Sequence, residues 1–225
     1  MPMTEEYFVK ITGTKPLLMH NPTDLGSKPK LRRGEHLDPE AEAERYLYKD
    51  AKGQICIPAF NVKACIREAG RNYKVSGRRS TFASMIRAGL KISPDFIPLI
   101  YRNNWVVDYR SVVVQRQRIM RARPRFDDWS LEFQIENVDP TVIHRDTLYK
   151  ILLDAGKYYG LGDFRPEFGL FEVEKFEVIA NAAGRGKARN GTVRPVMVGS
   201  GMVEHGEAGH GKEKKVEGND QDGAK

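Results

Sequence analysis

The stretch WVVDYRSVVVQRQRIMRARPRFDDWSLEFQIENV, residues 105–138, decides the fold. Its first part, WVVDYRSVVVQ at 105–115, is dense in β-branched and aromatic residues and reads as a strand. Its last part, WSLEFQIENV at 129–138, alternates, with Leu131, Phe133 and Ile135 on one face. That period of two is what a half-buried strand requires. Between them runs QRQRIMRARPRF, which carries Arg116, Arg118, Arg121, Arg123 and Arg125. If this connection extends as a hairpin arm, Arg121, Arg123 and Arg125 fall on one side at strand spacing. Ile119 and Met120 within it are apolar side chains of the kind that wedge between bases.

Working outward, EYFVKITGT (6–14) alternates Phe8, Lys10 and Thr12 against Val9 and Ile11, which predicts a first strand. YLY and QICIP (54–58) flank the turn DAKG and predict a hairpin. FNVKACIREAGRNYK (60–74) has helical spacing, with Asn61 as its expected N-cap and an end near Tyr73. TLYKILLDAGKYYG (147–160) repeats Leu148, Ile151, Leu152 and Ala155 and should stop at Gly160. FGLFEVEKFEVI (168–179) is the last long strand. The order strand, helix, strand, strand, helix, strand predicts an α+β, ferredoxin-like βαββαβ core. One sheet face is then free, and RNA-recognition modules hold single strands on such a face.

The expected domain covers 1–180, with insertions at about 20–58 and 75–104. Residues 181–203 could add an edge segment through GTVRPVMV. Residues 204–225, rich in glycine and charge, are expected to be a disordered tail, and this leaves His205 and His210 no fixed geometry for a metal.

With 225 residues, 40% apolar and 30% charged, the chain can bury one core. No apolar run approaches the roughly 18 residues of a membrane span. The N-terminus lacks a secretory pattern, so a cytoplasmic, reduced setting is expected. Cys56 and Cys65 are the only cysteines, which excludes a disulfide framework and a four-cysteine zinc site. They read as small apolar packing residues. The net charge of +7 is segregated: residues 63–125 hold fifteen Lys/Arg against three Asp/Glu, and residues 126–180 hold five against twelve. Positive charge that dense repels itself unless a polyanion neutralises it, and nucleic acid is the commonest such partner. Most of the fifteen are arginines, which fork onto phosphate and stack on bases.

Two further stretches carry candidate contacts. GLGDFRPEFGLFEV (160–173) joins the last helix to the last strand. Gly160 and Gly162 can let backbone N–H groups approach a phosphate, with Arg165 at the centre. No Walker lysine follows, so this is not a nucleotide loop. Lys63, Arg67 and Arg71 lie at i, i+4 and i+8 behind a helix N-terminus, where anions bind.

These stretches together resemble the RAMP superfamily of CRISPR-associated RNA-binding proteins, and among them the backbone subunits of effector complexes. The resemblance covers roughly 6–179. It rests on Gly53, Ile55, Ile57, Pro58, Ala59, Asn61, Lys63, Ala64 and Arg67, and on Gly160, Gly162, Arg165 and Gly169 of the glycine-rich loop. It implies a palm with a hairpin thumb at Arg116–Arg125, copies polymerising helically along a single-stranded guide RNA, a complementary target nucleic acid, and other effector subunits. No membrane or cofactor is implied. Two departures stand out. Ala59-Phe60-Asn61 replaces the usual small-Ser-Ser run. The aspartate of RNA-cleaving relatives falls, by spacing, at Glu44, with Asp24 and Asp38 nearby.

A noncatalytic RNA binder is therefore expected. The alternatives are an RNA endonuclease of the same superfamily, for guide processing or target cleavage, and a single-stranded DNA-binding protein of a mobile element. The weak catalytic candidates are His20, in PLLMHNP, as a general base near a 2′-hydroxyl, and Glu44. Asp127 and Asp128 are adjacent and point to opposite faces of a strand, which opposes joint chelation. Asp38, Glu40, Glu42 and Glu44 read as the first turns of a solvated helix.

Overall fold

A computed structural model describes residues 4–22, 38–114 and 116–181, all within a unit spanning 1–187. The expected edge segment at 181–203 and the tail at 204–225 lie outside the described residues, apart from Asn181, and so does Asp24. In chain order the elements are β1 (Glu5–Gly13), β2 (Leu17–Leu18), α1 (Pro39–Arg45), β3 (Cys56–Pro58), α2 (Ala59–Gly70), α3 (Phe82–Gly89), β4 (Leu90–Ser93) and β5 (Phe96–Pro98). There follow β6 (Ile100–Tyr101), β7 (Val106–Val114), β8 (Gln117–Phe126), β9 (Trp129–Asn137), α4 (Arg145–Asp154), a π-helical continuation over Ala155–Tyr159, and β10 (Phe171–Asn181).

The main sheet runs β10-β1-β9-β4, all antiparallel, with β6 also pairing with β9. With α2 between β1 and β4 and α4 between β9 and β10, this is an α+β fold in the βαββαβ order. Alternation does the work: Tyr7, Val9 and Ile11 of β1 and Leu131, Phe133 and Ile135 of β9 are buried, while Lys10, Glu132 and Gln134 are not. The buried stripe meets Val62, Cys65, Ile66 and Ala69 of α2 and Leu148, Ile151 and Leu152 of α4 in one core. Both cysteines are buried free thiols, Cys65 in this core and Cys56 on β3, and burial pushes Cys56 up to about 11 and Cys65 up to about 12. They are inert at neutral pH.

The predicted second core strand is corrected. It is β4, a four-residue segment inside the expected insertion at 75–104, and not residues 105–115. Residues 106–114 instead pair along their whole length with β8, so the basic stretch is one arm of a hairpin. A two-stranded arm needs strong β-formers along its length, whereas β4 owes its place to pairing with β9. β2 joins the base of this hairpin as a third strand.

The hairpin expected from YLY and QICIP is present in short form: Lys49 and Ile55 form an antiparallel bridge, Asp50 N donates to Gln54 O, Cys56 N to Tyr48 O, and Gly53 N closes the turn onto Asp50 O, while Cys56–Pro58 also pairs with Phe96–Pro98. α2 begins straight after Pro58, which puts Asn61 inside the first turn rather than at the cap. The helix ends at Gly70 and not near Tyr73. α1 forms where the acidic run predicted it, with the Asp38 carboxylate accepting from Ala41 N.

Ile135 is fully buried on β9, between β1 and β4. Ile135→Ala should lower the unfolding free energy by about 2–5 kcal/mol, with an unchanged m-value, as read by urea denaturation.

Candidate nucleic-acid interface

Three stretches that are far apart in sequence meet at one cavity of about 150 Å³, lined by His20, Tyr48, Asn61, Ala64, Gly162 and Arg165 among others. His20 follows β2, Asn61 and Ala64 lie on the first turns of α2, and Gly162 and Arg165 belong to the glycine-rich loop. The loop is pulled in by backbone bonds: Asp163 N donates to Leu18 O at 2.9 Å, and Leu161 N donates to Gly169 O at 2.8 Å. A side chain at Gly162 would meet Leu18 O at 2.3 Å, and one at Gly169 would meet Leu161 O at 1.8 Å, both at positive φ. Gly162 therefore serves close packing against β2, and Gly169 lets the loop fold tightly onto its own Leu161. The Gly160 amide, expected to reach phosphate, already donates to Ala155 O at 2.9 Å.

The His20 ring stacks on Tyr46 at 4.4 Å, and the Tyr48 hydroxyl donates to His20 O at 3.1 Å. Nδ1 of His20 is buried and has no hydrogen-bond partner among the described residues. Burial lowers the His20 pKa below its ordinary 6.5, Asp163 opposes this, and Arg123 and Arg121 reinforce it. The ring is thus neutral at pH 7. Glu44 is not brought to this histidine: it faces outward and binds Lys49 Nζ at 3.0 Å. Its neighbour on the inner side, Glu42, binds Arg121 instead. Among the described residues, no group of three or more His, Cys, Asp or Glu could hold a metal ion. No helix among them is long and apolar enough to cross a membrane.

The structure sorts the basic residues into two sets. Arg121 pairs with Glu42 on α1 at 3.2 Å, Arg123 with Asp163 of the glycine-rich loop at 2.9 Å, and Arg125 with Asp127 at 2.8 Å. Arg110, which sequence reasoning did not single out, pairs with the buried Asp108, and its guanidinium lies 4.7 Å from the Phe168 ring. On α2, Arg67 and Arg71 share Glu68. In the second set, Lys63, Arg116, Arg118 and Arg165 make no ion pair among the described residues, and neither do Lys74, Arg78, Arg79, Arg87 and Arg102 of the same basic block. Lys63 is half-buried, and desolvation lowers its pKa. An anion beside it would favour its charged form and offset that desolvation.

Arg121, Arg123 and Arg125 were expected to present a free basic side to RNA. They face one way, as their spacing predicted, but each is spent on a carboxylate that ties down the hairpin base. Their acidic partners stand on other elements (Asp127 apart), so local reading could not pair them. Arg123, with its side chain 9% exposed, is the deepest of the three, and its Nη1 is buried without a partner among the described residues.

No family model and no curated protein matches the chain. Among solved structures it is similar to a chain in the cryo-EM structure of the Type III-B Cmr-beta bound to cognate target RNA. The TM-score is 0.55 at 18% identity, over 78% of this chain and 61% of that one. At that identity the likeness is one of fold, and this chain spans less than two thirds of the other's length.

Two measurements check this geometry. Because the folded state holds the His20 pKa down, the unfolded chain binds more protons below about pH 6.5. Stability should therefore fall as pH drops from 7.5 towards 5, and His20→Gln should flatten part of that slope in urea titrations. Arg123→Ala, by unpairing Asp163 and opening the hairpin base, should cost about 1–3 kcal/mol in the same assay.

Proposed function

We propose that this chain is a noncatalytic RNA-binding backbone subunit that assembles side by side along a guide RNA in a CRISPR-type ribonucleoprotein effector. The fold shared with a chain of an RNA-bound assembly supports this reading. The observation that carries it is the set of unpaired cations, Lys63 and Arg165 beside the cavity and Arg116 and Arg118 at the hairpin tip. In this reading the core is the palm and the β7–β8 hairpin the thumb. A phosphate settles near the first turns of α2, where Asn61 meets Arg165 and Gly162 and Lys63 stands on the same helix. Arg116 and Arg118 meet the strand further on.

Arg125 is about a third exposed and its partner Asp127 about half exposed, so this surface pair, worth at most about 1 kcal/mol, can give way to a phosphate, whereas Arg121 is held by the largely buried Glu42. Arg123, Gly160, Arg67 and Arg71 act mainly by holding the frame. Complementary target nucleic acid and other effector subunits are the further partners in this reading, in the cytoplasm and without a cofactor.

Filter binding of single-stranded RNA across salt tests the proposal. Log affinity should fall linearly with log salt. Lys63→Ala and Arg165→Ala should each reduce that slope by about one and weaken binding at every RNA sequence alike. Affinity that ignores ionic strength would overturn the proposal. Competition with DNA of equal sequence separates it from a single-stranded DNA binder, because only RNA offers the 2′-hydroxyl.

One observation favours a second reading, an RNA endonuclease: His20 lines the cavity and its pKa is lowered, as suits a general base near a 2′-hydroxyl. Incubation of RNA with and without divalent metal decides it. Cleavage lost in His20→Ala would establish the nuclease, and intact RNA would exclude it.

A further inference from the structure

Between α4 and β10 the backbone departs twice from regular geometry. After α4 the chain winds on as a π-helical turn over Ala155–Tyr159, and π turns that continue a helix gather at functional sites. Further along, Phe164 sits at φ +56°. That left-handed conformation suits glycine and is an outlier for a bulky side chain. Both irregular segments put a ring into water: Tyr158 is 55% exposed and Phe164 43%. A single exposed ring needs no explanation. These two, however, line one open trough of about 540 Å³ together with Tyr159, Glu68, Arg165 and Pro166. The trough shares Gly162, Asp163 and Arg165 with the cavity beside His20, so the two are neighbours.

The rings are held in place. Phe164 is backed edge-on by Phe168, with ring centres 6.1 Å apart, and by the Arg110 guanidinium at 5.4 Å. Asn72 Nδ2 donates to the Tyr159 hydroxyl at 2.7 Å, which fixes the wall behind Tyr158. The two carboxylates of the trough are already engaged: Glu68 by Arg71 at 2.6 Å and Arg67 at 3.3 Å, and Asp163 by Arg123 at 2.9 Å. Asp154 and Glu167, the acids of the flanking segments, accept from the Tyr73 hydroxyl at 2.6 Å and pair with Lys15 at 4.0 Å. Two cations are left over. Arg165 stands in the wall, and Lys157 Nζ lies 5.2 Å from the centre of the Tyr158 ring. Neither makes an ion pair among the described residues.

We propose that this trough is a stacking site for a base of single-stranded nucleic acid, which lies against Tyr158 and Phe164 while Lys157 and Arg165 take the phosphates on either side of it. The inference rests on the RNA-binding reading above and gives that strand a course beyond the cavity. Every base has a π-face, so an aromatic platform holds a strand without regard to its sequence. A free cation beside the rings matches the phosphate that accompanies each base. An aromatic peptide would also fit the rings, but it would leave Lys157 and Arg165 without an anion. The hairpin tip supplies Arg116 and Arg118 and no aromatic ring, so it holds a phosphate chain without stacking a base.

Aminopurine, a fluorescent base whose emission falls on stacking, reads this contact directly. The probe is an oligouridine RNA of about ten nucleotides, with aminopurine at each position in turn, titrated with the nuclease-treated full chain. Wild type should quench at least one position. Tyr158→Ala and Phe164→Gly should each lose that quenching and bind at least about fivefold more weakly. The loss should be the same at every salt concentration, because a stack releases few counterions, whereas Lys63→Ala changes the salt slope. Tyr158→Phe keeps the ring and should quench where Tyr158→Ala does not. Glycine suits the φ of Phe164, so that substitution removes the ring without straining the turn. Circular dichroism melts of each variant confirm folding. A wild type that binds without quenching any position, or ring variants that bind and quench as wild type does, would overturn the stacking site and leave the RNA reading standing. Quenching of the matching oligodeoxyuridine alone, abolished by Tyr158→Ala, would keep the stacking site and remove the RNA reading. Binding of neither strand overturns both.

Discussion

A guanidinium that is nine-tenths buried needs a carboxylate, and Arg123 finds Asp163 on a loop forty residues away in sequence. That pair is the joint of the molecule. It fastens the hairpin to the glycine-rich loop, and the same loop is stitched to β2 by Asp163 N. Because β2 also pairs with β8, strand, loop and hairpin base close on one another. The cavity beside His20 exists because this joint holds α2, β2 and the loop at fixed spacing.

The joint changes what the basic block means. Positive charge concentrated in 63–125 suggested a continuous phosphate track. In three dimensions most of the hairpin's base arginines answer acidic residues of α1, the glycine-rich loop and the β8–β9 junction. What the cavity and the hairpin tip themselves offer a polyanion is more localised: a half-buried lysine, an exposed arginine near the cavity, and two arginines at the tip. The charge imbalance between the two halves of the chain is therefore partly internal glue and partly a difference between surfaces.

The α+β class and most of the core were legible from period alone. Residues 5–13 and 129–137 alternate because one face of each is buried, and α4 shows its stripe of Leu148, Ile151 and Leu152. β4 was not legible. Four residues carry too little pattern, and its partner β9 lies about forty residues on, so nothing local marks it as a core strand. The site was half legible. Asn61, Gly162, Arg165 and His20 were each marked by residue type and position, yet their convergence depends on the glycine-rich loop packing onto β2 near the start of α2. Glu44 was placed by spacing, but the helix phase turns it to solvent and turns Glu42 inward. Arg110 and Asp108 sat inside a strand pattern that spoke only of β structure.

By itself the sequence determined periodicities and charge densities, because these are properties of neighbours along the chain. From them follow the element types, the buried stripes and the expectation of a polyanionic partner. Only the tertiary structure decided which arginines remain available, since pairing depends on distance in space and the partners of Arg121 and Arg123 come from remote elements. It also decided that Tyr158 and Phe164 share one trough with Glu68 of α2, because the glycine-rich loop meets that helix only in space.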